Sequence, residues 1–261
     1  MRAIILSAGR GRRLLPLTEV VPKCILPVLG DLTALEYQLY SLAASGVEQA
    51  TIMVGFGAEK VEKVLAERPI PGIEIKTFYN PFYDTTDNLT TVWLAQSEMT
   101  EDFLILNGDT LFEVDVARRL LAAPYAPLTV AINRKRGYDS DDMKVSLNGG
   151  RRLAAVSKTL APEYIDGESI GFMYFRDRGI DAFREALNTA IREPGALKAW
   201  YLSVIDGLAD SLRIETTAIS DLWWAEIDSP EDLREVRAAL EEREGKHPTP
   251  VYERPLRALA R

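Results

Sequence analysis

Cations and glycines crowd the first 23 residues of the chain. The stretch Arg2–Lys23 reads RAIILSAGRGRRLLPLTEVVPK and holds five positive charges against one negative. Gly9 and Gly11 allow a ligand to approach main-chain N–H groups that larger side chains would cover. Free amides beside converging cations favour a polyphosphate ligand. Glycine spacing alone is equally compatible with an ordinary strand, turn and helix whose arginines are solvated.

Two familiar phosphate-binding loops do not fit this stretch. A Rossmann fingerprint needs a third glycine where the chain has Leu14, and a P-loop needs a Gly-Lys-Ser/Thr triplet that the sequence lacks. The stretch resembles the signature of the nucleotidyltransferase superfamily that activates sugar 1-phosphates and related phosphates, L-x-A-G-x-G-x-R-x-x-P-x-T followed by P-K. The matching residues are Leu6, Ala8, Gly9, Gly11, Arg13, Pro16, Thr18, Pro22 and Lys23.

Two aspartates each follow a predicted strand. Asp109 stands in NGDT after the strand Asp102–Leu106, and Asp228 follows the strand Trp224–Ile227. Ligands of open parallel sheets bind beyond the carboxyl ends of strands. Asp228 is also compatible with a surface acid, because a helix start follows it. Together the pair resembles the two-carboxylate metal site of this superfamily, which implies Mg²⁺ held by both residues.

The resemblance extends over nearly the whole chain, and two variants narrow it. PKC after the loop and NPFYDTTDN before residue 89 look like a cytidylyltransferase of the phosphocholine, phosphonate or inositol-phosphate kind. The implied reaction is attack by a phosphate or phosphonate oxygen of a small acceptor on the α-phosphorus of CTP, with pyrophosphate leaving. The alternatives are a sugar-1-phosphate nucleotidyltransferase using UTP, dTTP or GTP, and a non-catalytic nucleotide sensor with the same fold.

The resemblance also assigns roles at the nucleotide. Lys23 is expected to reach the α-phosphate and the acceptor oxygen, and Arg13 to offset charge on the β- and γ-phosphates. Asn88 either caps a helix or faces the base or ribose. The residues expected to bind the nucleotide are Leu6, Ser7, Ala8, Gly9, Gly11, Arg13, Lys23, Asn88 and Gly108.

Two residues are expected at the acceptor. Lys158 in VSKTL resembles the lysine that grips the acceptor phosphate in relatives, although a lysine on an exposed strand is ordinarily solvated. Glu168 is a candidate for an acceptor amine or hydroxyl. Aromatic residues lie in segments expected to edge the acceptor pocket, although such residues are often core. They are Tyr164, Trp200, Tyr201, Trp223 and Trp224.

Strand and helix patterns alternate along the chain. This alternation predicts an α/β fold with a doubly wound, mostly parallel sheet, Rossmann-like in kind. Between Arg134 and Lys158 the pattern becomes two alternating strands around Asn148-Gly149, which predicts an antiparallel arm over the acceptor site. A helix is predicted over Leu197–Ala209, and Ser229-Pro230 predicts the start of the last helix.

Composition excludes several classes of protein. A net charge of −8 argues against nucleic-acid binding, and no apolar run approaches the roughly 20 residues of a membrane span. The single cysteine, Cys24, is expected to be a packing residue and fits a reducing, cytoplasmic location. We expect one catalytic domain over residues 1–243, a proline-broken tail over 244–261 that includes His247, and a possible homodimer.

Overall fold

The computed structural model describes residues 1–245 of the 261-residue chain. The strands are β1 (Arg2–Ser7), β2 (Pro27–Leu29), β3 (Leu32–Thr33), β4 (Gln49–Val54), β5 (Glu74–Tyr79), β6 (Phe103–Asn107), β7 (Thr110–Phe112), β8 (Leu128–Asn133), β9 (Lys144–Leu147), β10 (Leu153–Ser157), β11 (Gly167–Phe175), β12 (Ile214–Ala218) and β13 (Trp224–Glu226). The α-helices are α1 (Ala34–Ala44), α2 (Ala58–Glu67), α3 (Asn88–Leu94), α4 (Val114–Leu121), α5 (Arg178–Ala190), α6 (Leu202–Leu208) and α7 (Pro230–Gly245).

Two compact units make up the described chain. Unit 1 contains residues 1–84, 107–117 and 223–245, and unit 2 contains residues 85–106 and 118–222. The single catalytic domain over residues 1–243 stays a prediction. The predicted tail lies outside the described residues, apart from its first two residues, which end α7. The homodimer and the cytoplasmic location also stay predictions.

A parallel sheet organises unit 1. β4 pairs in parallel with β1, and β5 pairs in parallel with β4. Ala3, Ile4 and Ile5 of β1 are all fully buried, as expected of a parallel strand covered on both faces. The carboxyl end of β1 leads directly into the glycine-rich loop.

Besides the buried residues of the parallel sheet, unit 1 has a second apolar cluster, which packs beside that loop. It joins β2, β3, α1 and α7 to β7 and β13, which pair antiparallel. Its buried residues are Leu14, Leu26, Val28, Leu32, Ala34, Tyr37, Leu111, Ile227, Leu233, Val236 and Leu240. Burial of these side chains stabilises the segments that carry the candidate site residues.

Unit 2 is built around β11, whose nine residues are all buried. It pairs antiparallel with β6, β8 and β9, and β12 pairs in parallel with β8. Phe175 of β11 stacks between Phe103 and Phe183, at ring-centroid distances of 4.7 and 4.5 Å. β9 and β10 form a hairpin whose turn contains Gly149 and Gly150 at positive φ.

The predicted α/β fold class is confirmed, and so is the antiparallel arm, which is the β9–β10 hairpin. The helix predicted over Leu197–Ala209 is wrong in its first half: a short 3-10 turn over Ala196–Lys198 is followed by extended backbone at Ala199, and α6 begins only at Leu202. No helix among residues 1–245 is both long and apolar enough to cross a membrane.

Candidate active site

The glycine-rich loop leaves β1 and turns sharply at Gly11. Gly11 adopts φ +63°, a left-handed conformation that other residues adopt only at a cost. A Cβ there would lie 3.1 Å from Lys23 Cβ, and Thr18 Oγ1 donates to the Gly11 carbonyl at 2.7 Å. Gly9 faces open space, with no atom within 4 Å of a hypothetical Cβ. Gly11 therefore allows the left-handed turn, and Gly9 leaves the main chain of the loop open to a ligand.

Each candidate catalytic residue in unit 1 lies within three residues of a buried apolar anchor. Leu14 follows Arg13, Leu26 comes three residues after Lys23, and both belong to the second apolar cluster. Leu111 and Ile227 of the same cluster flank Asp109 and Asp228 in the same way. The same cluster thus anchors the three chain segments that carry these four charged residues.

Asp109 sits in a tight turn between β6 and β7. Its neighbour Gly108 donates its N–H to Leu6 O at 3.0 Å, and a Cβ on Gly108 would lie 2.7 Å from that oxygen. Gly108 is therefore required for close packing against the end of β1. Its predicted role in nucleotide binding stays a prediction.

Gln38 holds this turn from α1, and sequence reasoning missed it. Its fully buried amide nitrogen donates to Asn107 O at 2.9 Å and to Thr110 O at 2.7 Å. The two carbonyls bracket Asp109 on either side. The signal available in the sequence was a glutamine among the mostly apolar residues of α1, because a buried amide requires a hydrogen-bond partner.

Asp228 is positioned by the start of α7. Ser229 Oγ accepts from Asp232 N at 3.2 Å, while Asp232 Oδ2 accepts from the backbone N–H groups of Ser229 and Asp228 at 2.7 and 2.9 Å. This reciprocal capping confirms the predicted helix start. Ile227 N also donates to Asp109 O at 3.1 Å, which ties the two aspartate-bearing segments together.

Lys23 bridges the two aspartates. Its ammonium lies 2.6 Å from Asp109 Oδ2 and 2.9 Å from Asp228 Oδ1, and the three side chains are 17%, 23% and 29% exposed. Arg13 Nη2 lies 2.9 Å from Asp228 Oδ2. Burial alone would lower the pKa of Lys23, but attraction to Asp109 and Asp228 outweighs it, and the net pKa is raised. Lys23 is therefore a cation at neutral pH.

The two carboxylates fit a divalent cation. Asp109 Oδ1 is buried and accepts no hydrogen bond from any residue in the described part of the chain. A buried carboxylate oxygen without a partner costs free energy unless a ligand satisfies it. No group of three or more potential metal-ligating side chains occurs among residues 1–245. Two carboxylates suit Mg²⁺, which completes its octahedral shell with water and substrate phosphates.

The other loop arginines have a different partner. Arg10 Nε and Arg12 Nη2 lie 2.9 and 3.1 Å from Asp84 Oδ1, and Arg10 also stacks over Phe56 at 5.2 Å. Neither occupies an arginine position of the family signature. Asp84 was not singled out from the sequence, because its segment is turn-rich and gives no periodic signal.

Cys24 lies directly after Lys23 and is buried. Burial raises the pKa of its thiol to about 11, although the neighbouring Ser7 hydroxyl partly opposes this shift. The thiol is therefore neutral at physiological pH, and a protonated thiol is a poor nucleophile. These properties suit the packing role expected of this residue.

Asn88 lies at the first position of α3, in unit 2. Its Oδ1 accepts from Tyr201 N at 2.9 Å, so this oxygen joins α3 to the segment before α6 and does not cap its own helix. Asp87 is the N-cap residue and makes no side-chain capping bond. Contact of Asn88 with a base or ribose stays a prediction.

The predicted acceptor residues also lie in unit 2. Lys158 Nζ is 4.1 Å from the centroid of Trp200 and 3.5 Å from Asp141 Oδ1. Glu168 is buried and lies 2.7 Å from Lys135 Nζ, and its Oε1 accepts from Asn133 Nδ2 at 2.8 Å. Burial raises the pKa of Glu168 despite the opposing pull of Lys135. Glu168 is thus already paired with a cation of its own chain.

The five aromatic residues expected near the acceptor differ in exposure and in the unit to which they belong. Trp200 and Tyr164 are exposed in unit 2, whereas Tyr201 is fully buried there. Trp223 and Trp224 belong to unit 1, where Trp223 packs edge-on against Tyr37 at 5.9 Å. Tyr201 therefore fits the alternative of a core residue, because its ring has no exposed surface.

Comparison with known proteins places this geometry in a family. The nucleotidyl transferase family matches residues 2–133, which contain the loop, Lys23 and Asp109. The chain belongs to the nucleotidyl transferase family. This membership confirms the resemblance drawn from the loop signature.

Similar proteins extend the match along the chain. CMP-5'-(3-aminopropyl)phosphonate synthase of Streptomyces rubellomurinus is 33% identical over 248 residues, which cover 90% of this chain and 38% of that protein. The bifunctional IPC transferase and DIPP synthase of Aquifex aeolicus is 27% identical over 241 residues, which cover 91% of this chain and 51% of that protein. The chain therefore spans about half the length of these relatives or less.

Solved structures show the same fold. The inositol-1-phosphate CTP transferase from T. maritima superposes with a TM-score of 0.75 at 22% identity, covering 92% of this chain and 96% of that one. The fold of this chain therefore matches that of this solved structure well beyond the N-terminal segment that the family matches.

Proposed function

We propose that this chain is a cytidylyltransferase that transfers CMP from CTP to the phosphate or phosphonate of a small acceptor and releases pyrophosphate. The observation that carries the proposal is the cluster in unit 1, where Lys23 bridges Asp109 and Asp228 beside the glycine-rich loop. Two carboxylates and two cations, counting Arg13, balance in charge before any ligand binds. A divalent cation would offset part of the negative charge that a polyphosphate brings to the cluster.

Each residue of the cluster has a physical role in the proposed reaction. Lys23 holds the α-phosphate and offsets the negative charge that grows there as the acceptor oxygen approaches. Arg13 offers a planar set of N–H donors to the β- and γ-phosphates, whose charge increases as pyrophosphate leaves. The open position of Gly9 allows the triphosphate to contact the main chain.

Asp109 and Asp228 are the residues that would hold Mg²⁺. When bound, the ion neutralises phosphate charge and allows two anionic reactants to approach each other. The unpartnered Asp109 Oδ1 supports this assignment. Asp228 is held in place by the capping of α7, so both carboxylates are fixed before the substrates arrive.

No side chain is needed to remove a proton from the nucleophile. A phosphate monoester has a second pKa of about 6, so its oxygen is already an anion near neutral pH. The only histidine, His247, lies outside the described residues. Catalysis in the proposed reaction therefore rests on positioning and charge.

Unit 2 supplies the proposed acceptor residues. Lys158, steadied by Trp200 and Asp141, presents a cation to the acceptor phosphate. Glu168 offers a carboxylate to an acceptor amine, which would replace the Lys135 ammonium as its ion-pair partner. The name of the Streptomyces relative, with CMP and an aminopropylphosphonate, supports both the donor and an amine-bearing acceptor.

The test is pyrophosphate release with CTP, UTP, dTTP and GTP against phosphocholine, 2-aminoethylphosphonate, inositol 1-phosphate and glucose 1-phosphate. We expect turnover with CTP and an amine-bearing or polyol acceptor. Turnover confined to UTP, dTTP or GTP with glucose 1-phosphate would overturn the assignment to CTP. Binding of nucleotide without pyrophosphate release from any pair would favour a non-catalytic sensor.

A further inference from the structure

β5 forms a free edge of the parallel sheet in unit 1. It pairs with β4, and no other strand among residues 1–245 pairs with it. Glu74 N donates to Glu48 O at 2.8 Å, so the even-numbered residues of β5 direct their main-chain groups toward β4. The odd-numbered residues Ile75, Thr77 and Tyr79 therefore direct their N–H and C=O groups away from the sheet. Such a row of main-chain groups can pair with a further strand.

The edge is short, and the sequence fixes both of its ends. Pro71 precedes it and Pro81 follows it, and proline has no N–H to donate to a neighbouring strand. Gly72 turns the chain at φ +82° just before the strand begins. A partner strand can therefore pair only with the segment between these prolines, which leaves few possible registers.

Two charges of opposite sign lie on this segment. Glu74 and Lys76 are two residues apart, and both are exposed. Residues at this spacing in a strand project from the same face. When two such strands run antiparallel, the acid of each can lie opposite the base of the other. The segment is therefore complementary in charge to a second copy of itself.

The direction of the main-chain groups restricts the register of such a pair. In an antiparallel pair the outward-facing residues lie opposite each other, so odd-numbered residues face odd-numbered residues. A two-fold axis can then pass through Ile75, Lys76 or Thr77. An axis at Lys76 sets two ammoniums opposite each other, which is unfavourable, and an axis at Thr77 sets each Lys76 opposite Phe78. The axis at Ile75 pairs Glu74 with Lys76, and it does so twice.

We propose that β5 is the interface of a homodimer, in which the β5 strands of two copies pair antiparallel about a two-fold axis at Ile75. Each copy contributes the same surface to a two-fold interface, so both Glu74–Lys76 ion pairs form together. The opposed segments of residues 73–77 share about six main-chain hydrogen bonds. The interface lies toward the amino ends of the parallel strands, whereas the glycine-rich loop leaves the carboxyl end of β1. It does not depend on the transferase activity proposed above.

The first test is sedimentation velocity of the full chain over a range of concentrations. We expect the wild type to associate from a 29.1 kDa monomer to a dimer of twice that mass. Glu74→Lys and Lys76→Glu should each raise the dissociation constant of the dimer by at least ~10-fold, because each sets two pairs of like charges opposite each other. The double substitution Glu74→Lys/Lys76→Glu should return the constant to within about threefold of the wild type, because opposite charges face each other again.

Glu235→Lys is the matched control, because it makes the same change of charge at an exposed residue of α7, outside the edge. Its dissociation constant should stay within about twofold of the wild type. A wild type that remains monomeric at about 100 μM would overturn the proposal. Equal effects of Glu74→Lys and Glu235→Lys would overturn it too, as would a double variant that associates no better than either single variant.

The second test locates the axis. Opposed residues at hydrogen-bonded positions of antiparallel strands have Cα atoms about 5.5 Å apart, which a disulfide can bridge. Under a mild oxidant, Ile75→Cys should therefore form a covalent dimer and Thr77→Cys should not, while the natural Cys24 is buried. A covalent dimer from Thr77→Cys and not from Ile75→Cys would overturn the proposed register.

Discussion

At the scale of single residues, the Lys23 ammonium contacts both carboxylates of the proposed reaction centre, Asp109 and Asp228. Its contacts of 2.6 and 2.9 Å are charge-assisted hydrogen bonds, and Arg13 Nη2 lies 2.9 Å from Asp228 Oδ2. Lys23 therefore sets the local electrostatics of the site. Arg10 and Arg12, only a few residues away, are turned toward Asp84 instead.

This division of the cations predicts different effects from four substitutions. Lys23→Ala should lower kcat by at least ~100-fold, the scale of losing one preorganised electrostatic element. Arg13→Ala should raise KM for CTP and also lower kcat, because its guanidinium is expected on the β- and γ-phosphates, whose charge increases as pyrophosphate leaves. Arg10→Ala and Arg12→Ala serve as matched controls and should change both constants by less than ~3-fold, since surface ion pairs contribute little.

Steady-state kinetics of pyrophosphate release separates these outcomes, with circular dichroism as a check that each variant is folded. Similar losses in all four variants would indicate diffuse electrostatic attraction of CTP and would contradict the specific roles given to Lys23 and Arg13.

The sequence predicted the charged residues of the site but not their supports. Arg13, Lys23, Asp109 and Asp228 follow from the loop signature and from strand ends. Gln38 and Asp84 do not, because their partners lie 69 to 74 positions away in the chain and no local pattern marks such contacts.

At the scale of elements, α1 and the turn before β7 act together. Gln38 is the residue through which the helix holds both carbonyls around Asp109. Ser41, one turn further along α1, donates to Phe112 O at 3.1 Å within β7 itself. The two residues offer a matched pair, because both bond the same segment and only Gln38 brackets the aspartate.

Gln38→Met keeps the length of the side chain but removes its donors. The free energy of unfolding should fall by about 2–4 kcal/mol, because two buried carbonyls lose their partner at roughly 1–2 kcal/mol each. Turnover should fall by at least ~10-fold, since small displacements of catalytic groups are costly. Ser41→Ala should cost about 1 kcal/mol and leave turnover near that of the wild type.

Urea denaturation and pyrophosphate release on the same preparations provide both readouts. A folded Gln38→Met variant with full turnover would show that the turn positions Asp109 without this helix.

The ends of several helices could be predicted from the sequence, because capping and turn residues mark them. Ser229-Pro230 begins α7, and Gly46 at φ +92° follows α1. The helix over Leu197–Ala209 was predicted too long because its apolar spacing ignores tertiary contacts. The backbone of this segment bonds to α3 instead: Leu197 O and Ala199 O accept from Asp87 and Leu89, and Tyr201 N donates to Asn88.

At the scale of the whole molecule, the proposed reaction centre is assembled from three separate stretches of unit 1. Lys23 meets partners 86 and 205 positions away. The second apolar cluster joins those stretches through Leu14, Leu111 and Ile227. The alternation of strands and helices predicted the fold class, but the sequence could not predict the division into two units, since no linker composition marks it.

The proposed function depends on Asp109 and Asp228 as the residues that hold the divalent cation of a nucleotidyl transfer reaction. The most direct test is the rate of pyrophosphate release from CTP, with its best acceptor, by Asp109→Ala and Asp228→Ala. Asp31→Ala is the control, because its side chain is 95% exposed and lies outside the cluster. We predict that each site variant stays folded and loses at least ~100-fold in turnover, while the control keeps wild-type turnover. Near-normal turnover in either folded site variant would contradict a metal-binding role for the substituted aspartate.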